Sequence, residues 1–202
     1  MTGKHKIAAE ITQVAIEEKL EPKELIDNYL IKAMEEIGDR FEKQQAFVPE
    51  LLMAGRAMKA SLSLLQPLLK GDEATSQLGT IVIGTVKGDL HDIGKNLVGS
   101  MFEGCGFQVV DLGVDADSDK FVTAVKEHGA NLVGLSALLT TTMPYMKTII
   151  EALKAAGLRD KVKVMVGGAP VSSSFAEEIG ADGYSDSANS AVIKAKELLG
   201  VA

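Results

Sequence analysis

The sequence predicts a two-part fold: a four-helix-type bundle over residues 1–75, then a doubly wound α/β domain with a five-stranded parallel sheet over residues 76–202. Three observations predict it. Before about residue 70, apolar residues recur at helical spacing. From Thr80 onward, short β-rich apolar runs alternate with helical stretches. Between them Lys70–Gly79 (KGDEATSQLG) is polar and carries two glycines, which reads as a linker and a natural hinge.

The first helix is expected over residues 4–19 and the second over about 22–43, with Leu25, Tyr29, Met34, Ile37 and Phe41 facing inward. Pro49 suits the first turn of a third helix. Along it Leu51, Gly55, Met58, Leu62 and Leu65 form one stripe at steps of four, three, four and three. In the second half the strands are Thr80–Val86, Phe107–Leu112, Asn131–Ser136, Lys161–Val166 and a short Gly183–Ser185. Helices fit between and after them at about 94–105, 118–129, 142–156, 172–180 and 188–199. Continuous apolar runs such as TIVIGTV and NLVGLS suit strands covered on both faces. The expected strand order is 2-1-3-4-5, which puts ligands at the carboxyl ends of the first and third strands.

Composition excludes several classes. The net charge is −7 and the two signs are well mixed, unlike the basic face of a nucleic-acid binder. No apolar run approaches a membrane span, and the N-terminal MTGKHKIAAEITQ lacks a signal-peptide core. The single cysteine, Cys105, cannot form an internal disulfide and reads as a small buried hydrophobe, so a cytoplasmic location is expected.

Three unusual loops follow the predicted strands on one rim: Lys87–Asn96, Ser136–Thr142 and Gly167–Pro170. The first is not a phosphate loop, because five residues separate Gly88 from Gly94 and Asn96 follows Lys95. A receiver-type phosphoacceptor would need an aspartate where Ser136 stands. A hard-metal site could use Asp89, His91 and Asp92, but the other histidines, His5 and His128, lie far away in sequence. Asp89 and His91 are two apart, so the carboxylate can accept a ring N–H and orient the other nitrogen as a ligand. On the residues alone, His91 as a ligand and His91 as a mere helix-capping loop residue both stand.

Asp89-x-His91-x-x-Gly94 resembles the cobalamin signature of the methionine synthase and corrinoid methyltransferase family. Ser136-x-Leu138 and Gly167-Gly168 resemble its two later elements. VKGDLHDIGKN, DLGVD, VGLSALLTTTM and VGGAPV follow the family at similar spacings. Gly38–Phe41 and Phe47–Leu51 resemble its helical cap, so the likeness covers nearly the whole chain.

The resemblance implies a Rossmann-like, flavodoxin-like cobalamin domain beneath a cap. Cobalamin would bind base-off, with His91 on cobalt, Asp89 hydrogen-bonded to His91, and Thr142 completing the relay. Gly88, Leu90, Asp92, Ile93 and Gly94 would surround the ligand histidine. Ser136, Leu138, Thr140, Gly167, Gly168 and Ala188 would contact the nucleotide tail. Phe41, Val48 and Leu51 would cover the methyl-bearing face, and Asp27 falls where the family has a cofactor-contacting acid. The cofactor would alternate between methylcobalamin and cob(I)alamin.

No substrate barrel accompanies the two domains, so the chain reads as a freestanding methyl carrier rather than a complete catalyst. Its implied partners are a substrate-specific methyltransferase, a second methyltransferase acting on tetrahydrofolate or a thiol, and a reductive activase. Two other readings are a cobalamin-sensing regulator and the small subunit of an adenosylcobalamin-dependent mutase. The cap match at Phe41–Leu51 disfavours the mutase. The absence of tryptophan and of a basic DNA-binding segment disfavours the regulator.

Overall fold

The computed structural model describes residues 4–69 and 78–201. The expected linker at Lys70–Gly79, and with it the expected domain boundary between residues 75 and 76, falls largely on residues 70–77, outside the described residues. The chain divides into two compact units. One comprises residues up to Leu78 together with Ser100–Phe107; the other comprises Gly79–Gly99 and Gln108 onward.

The first unit is helical. It contains α1 (Lys4–Glu17), α2 (Pro22–Leu25), a π-helical turn (Ile26–Leu30), α3 (Ile31–Glu42) and α4 (Val48–Leu65). Pro49 sits in the first turn of α4, and Glu50 reaches back to accept the Phe47 N–H at 2.8 Å. Leu51, Met58, Leu62 and Leu65 form the buried face of α4 as their spacing predicts. Thr12 of α1 donates to Ser61 Oγ of α4 at 2.9 Å, which satisfies two buried hydroxyls against each other.

One inward assignment is corrected. Met34 is buried as expected, but Tyr29 is 62% exposed and Ile26 is buried instead. The cause is the π turn, where the Ile31 N–H bonds back five residues to Ile26. That inserted residue rotates the apolar stripe, so α-helical spacing misplaces Tyr29.

The second unit is a five-stranded, all-parallel sheet in the order β2-β1-β3-β4-β5. Its strands are β1 (Thr80–Thr85), β2 (Gln108–Asp111), β3 (Leu132–Ser136), β4 (Lys163–Gly167) and β5 (Gly183–Tyr184). Helices α5 (Ile93–Gly104), α6 (Ser118–His128), α7 (Pro144–Ala155), α8 (Ser173–Ile179) and α9 (Ala188–Leu199) alternate with them. The last turn of α5 belongs to the helical unit. Val82, Val133 and Val164 lie side by side on the three central strands with no exposed surface. Phe121 of α6 with Ile149 and Leu153 of α7 complete that core. Sidedness of this kind explains the continuous apolar runs. Asp117, Ser172 and Ser187 cap the N-termini of α6, α8 and α9, and Gly129, Gly180 and Gly200 end them in left-handed turns.

The register aligns Thr85, Ser136 and Gly167 across the carboxyl ends of β1, β3 and β4. Just beyond, Gly168 holds φ +134, and a Cβ there would collide with the backbone carbonyl of Ala137. Neither feature tolerates a side chain. Gly168→Ala is expected to lower the stability by about 2 kcal/mol or more, read as a reduced urea midpoint with an unchanged slope.

Candidate functional site

After β1 the chain turns sharply before entering α5. The Asp89 N–H bonds to the Val86 carbonyl at 3.1 Å, with Gly88 at φ +83 as the third residue of the turn. The turn drives the Asp89 side chain inward, where it has no exposed surface. A buried carboxylate must be saturated with donors, and this one is. Oδ1 accepts the His91 N–H at 3.1 Å and faces the His91 ring Nδ1 at 2.7 Å. Oδ2 accepts the Leu138 N–H at 2.8 Å, the Leu139 N–H at 3.2 Å and the Thr142 hydroxyl at 2.8 Å. Thr142 also lies 2.9 Å from the Leu139 carbonyl, but the carboxylate is the stronger acceptor for its one hydrogen.

Burial alone would raise the Asp89 pKa. The bonds from the His91 ring, the Leu138 and His91 amides and Thr142 outweigh it and hold the carboxyl well below the usual range. Asp89 is therefore an anion and an acceptor only, so the hydrogen between it and His91 resides on Nδ1. Nε2, the other ring nitrogen, has no hydrogen-bond partner among the described residues. The His91 side chain is 51% exposed, and its carbonyl is held by Thr85 Oγ1 at 2.9 Å. Leu90 and Ile93 beside it are 71% and 86% exposed, unusual for large apolar side chains.

The remaining expected residues fall in several places. Leu138 and Thr142 join Asp89 directly, while Thr140 is exposed on the same loop. Ser136 and Gly167 are paired at the strand ends, and Gly168 abuts Ala137. Ala188 is buried in the first turn of α9. Asp92 is half-buried and accepts a bond from Asn96 Nδ2 at 3.1 Å. Phe41, Val48 and Leu51 lie in the helical unit, where Leu51 is buried and Val48 is exposed. Asp27 is there too, paired with Lys23 at 2.9 Å. Among the described residues no three His, Cys, Asp or Glu side chains converge to hold a metal ion. The hard-metal reading of Asp89, His91 and Asp92 thus lacks its ligand set. No helix among those residues is long and apolar enough to cross a membrane.

Comparison with known proteins decides the family. Models described as "B12 binding domain" match residues 79–193 and residues 1–66. The chain is 48% identical to a dimethylamine corrinoid protein of Methanosarcina barkeri, over 93% of this chain and 90% of that one. This chain belongs to the B12-binding corrinoid proteins of methyltransferase systems. Solved structures agree with the assignment. A cobalamin-binding protein from Desulfitobacterium hafniense DCB-2 superposes with a TM-score of 0.79 at 34% identity, covering 96% of both chains. A chain of the methanol:cobalamin methyltransferase complex of Methanosarcina barkeri gives 0.81 at 28% identity, covering 99% of this chain and 76% of the other.

Sequence reasoning missed several residues around this corrinoid-protein loop. Lys95 is buried and bonds both Asp111 oxygens, at 2.7 and 2.6 Å, and Asn96 Oδ1 at 2.7 Å. A signal existed: a lysine in the first turn of a helix opposes the helix dipole and needs an anionic partner. Leu139 contributes only its backbone N–H, which no residue type announces. In the helical unit, Phe47 immediately before α4 is 68% exposed and Phe41 is partly buried.

The Asp89 shift gives a signed prediction for the apoprotein. A carboxyl with a depressed folded-state pKa contributes stability that is present above its unfolded pKa of about 3.9 and is lost as pH falls below it. Urea unfolding of wild type and Asp89→Asn at pH 3 to 6 should show a stability difference that is constant above about pH 5 and shrinks toward pH 3.

Proposed function

We propose that this chain carries a methyl group on a cobalamin bound base-off with His91 on cobalt. The methyl group would pass between a substrate-specific methyltransferase and a second methyltransferase that uses tetrahydrofolate or a thiol, and a reductive activase would restore the carrier after oxidation. One observation carries the reading. Asp89, fully buried and saturated, holds His91 by Nδ1 and leaves Nε2 without a partner among the described residues on a half-exposed ring. Carboxylate–histidine pairs of this kind prepare an imidazole to bind a metal.

Other features fit the group. Leu90, Ile93, Leu138 and Leu139 expose apolar surface around the same loop, suited to a large flat macrocycle. A Cβ built on Gly94 would meet nothing within 4 Å. Packing within the chain therefore gives no reason for glycine there, whereas an inserted nucleotide tail would. Bound cobalamin would supply a cobalt that accepts and releases the methyl group. The chain's own task is narrower. Asp89 fixes the tautomer and direction of His91, Thr142 and the Leu138–Leu139 amides hold Asp89, and the exposed leucines exclude water from the macrocycle's edge. The relatives' names support the assignment: one is a dimethylamine corrinoid protein, and another chain is part of a methanol:cobalamin methyltransferase complex.

The direct test is the visible spectrum of the protein loaded with methylcobalamin, beside His91→Ala. A spectrum of the nitrogen-coordinated type in wild type, turning to the base-off type in the variant, is expected. Identical spectra would sink the assignment of His91. Gly94→Ala separates ligand space from folding. It should leave the apoprotein as stable or up to about 1 kcal/mol more stable, because alanine is the better helix former. Cobalamin titration should nevertheless show weaker binding.

A further inference from the structure

The turn that presents Asp89 and His91 does not hold itself. It is braced by the loop between β2 and α6. Thr85 N–H bonds to the Gly113 carbonyl at 3.0 Å, and Ala116 N–H bonds to the Thr85 carbonyl at 2.9 Å. Val86 and Ala116 form an isolated parallel bridge. These contacts lead to Asp115, which makes two bonds at once. Its Oδ1 accepts the Gly88 N–H at 2.7 Å, and its own N–H donates to the Asp89 carbonyl at 3.0 Å. Both ends of the Gly88-Asp89 dipeptide are thereby bracketed by one residue.

The backbone of Asp115 supports a dedicated role. It lies at φ +51, in the left-handed region. The other non-glycine residues described there, Lys19 and Gln44, follow the ends of α1 and α3, where a left-handed residue is ordinary. Asp115 ends no helix. A left-handed aspartate inside a loop is uncommon, and persists where surrounding contacts require it. Here the required contacts are the two that bracket the turn.

We propose that Asp115 is a positioning residue for the Asp89–His91 pair: it clamps Gly88-Asp89 from both sides and so sets where the free nitrogen of His91 points. The role in cobalt coordination rests on the methyl-carrier reading; the positioning itself does not.

Two substitutions separate side chain from backbone. Asp115→Gly keeps the left-handed backbone and the N–H but removes the acceptor. Asp115→Asn keeps an acceptor oxygen and tolerates the left-handed region. In the apoprotein, amide hydrogen exchange at Gly88 and the ring ¹⁵N resonances of His91 are measured, with β4 amides as the internal control for folding. In the loaded protein, the fraction of nitrogen-coordinated cobalamin is read from the visible spectrum. Asp115→Gly should speed exchange at Gly88 by about tenfold or more, as expected for losing a hydrogen bond to a charged group. It should also shift the His91 ring resonances and lower the coordinated fraction, and Asp115→Asn should restore all three toward wild type. Unchanged His91 resonances in Asp115→Gly would overturn the proposal, even if Gly88 exchanges faster, since Asp115 would then only cap a turn. Identical spectra for wild type and His91→Ala would remove the methyl-carrier reading instead, and the ring resonances would still decide whether Asp115 positions the pair.

Discussion

The local structure of the rim depends on one buried carboxylate. An ionised aspartate without exposed surface is costly unless every lone pair finds a donor. Asp89 meets that demand with five donor groups drawn from the 89–91 turn, the Leu138–Leu139 backbone and Thr142. Those segments follow different strands, so satisfying the charge fixes two loops against each other. The His91 ring is oriented as a by-product of the same saturation, because one of the five donors is its Nδ1.

The sheet supplies the frame for this arrangement. In the order β2-β1-β3-β4-β5, β1 and β3 are neighbours whose connections leave in opposite directions, so a crevice opens beyond their carboxyl ends. The loops after these two strands are the ones Asp89 ties together. A second buried charge, Lys95, repeats the device one turn into α5 by pairing with Asp111 at the end of β2. Between Asp89 and Lys95 the chain is anchored at both ends, while Leu90, His91 and Ile93 stay exposed. A rigid frame around a short solvent-facing segment is what a binding loop requires.

Much of this was legible in the sequence, for identifiable reasons. The five βα units show because strands covered on both faces need uninterrupted apolar runs, and these are separated by amphipathic helices. The Asp89–His91 contact shows because two residues separated by one in a loop can converge. Thr142 was reached only through resemblance to a family, since nothing local joins it to a residue 53 positions away. Leu139 stayed hidden because it acts through a backbone donor, which carries no residue signature, and Asp115 because the groups it holds, the Gly88 N–H and the Asp89 carbonyl, are themselves backbone groups distant in sequence. Tyr29 was misplaced by a different effect. A single π turn breaks the 3.6-residue period that the inward stripe assumed, and period alone cannot reveal an inserted residue.

The saturation of Asp89 also bears on where a proton can reside. A relay through His91 and Asp89 could in principle store a proton on the carboxyl. Five donors pointing at that carboxyl oppose this, because protonating it would break or reverse at least one of them. The carboxyl therefore stays the fixed acceptor of the pair, and Nε2 is the ring nitrogen without a partner among the described residues. The Nδ1–H bond runs to an aspartate that remains charged, as a carboxylate oriented toward an imidazole usually does. In the proposed carrier, Nε2 would be the atom that holds cobalt, with Asp89 the fixed counter-charge that orients the ring.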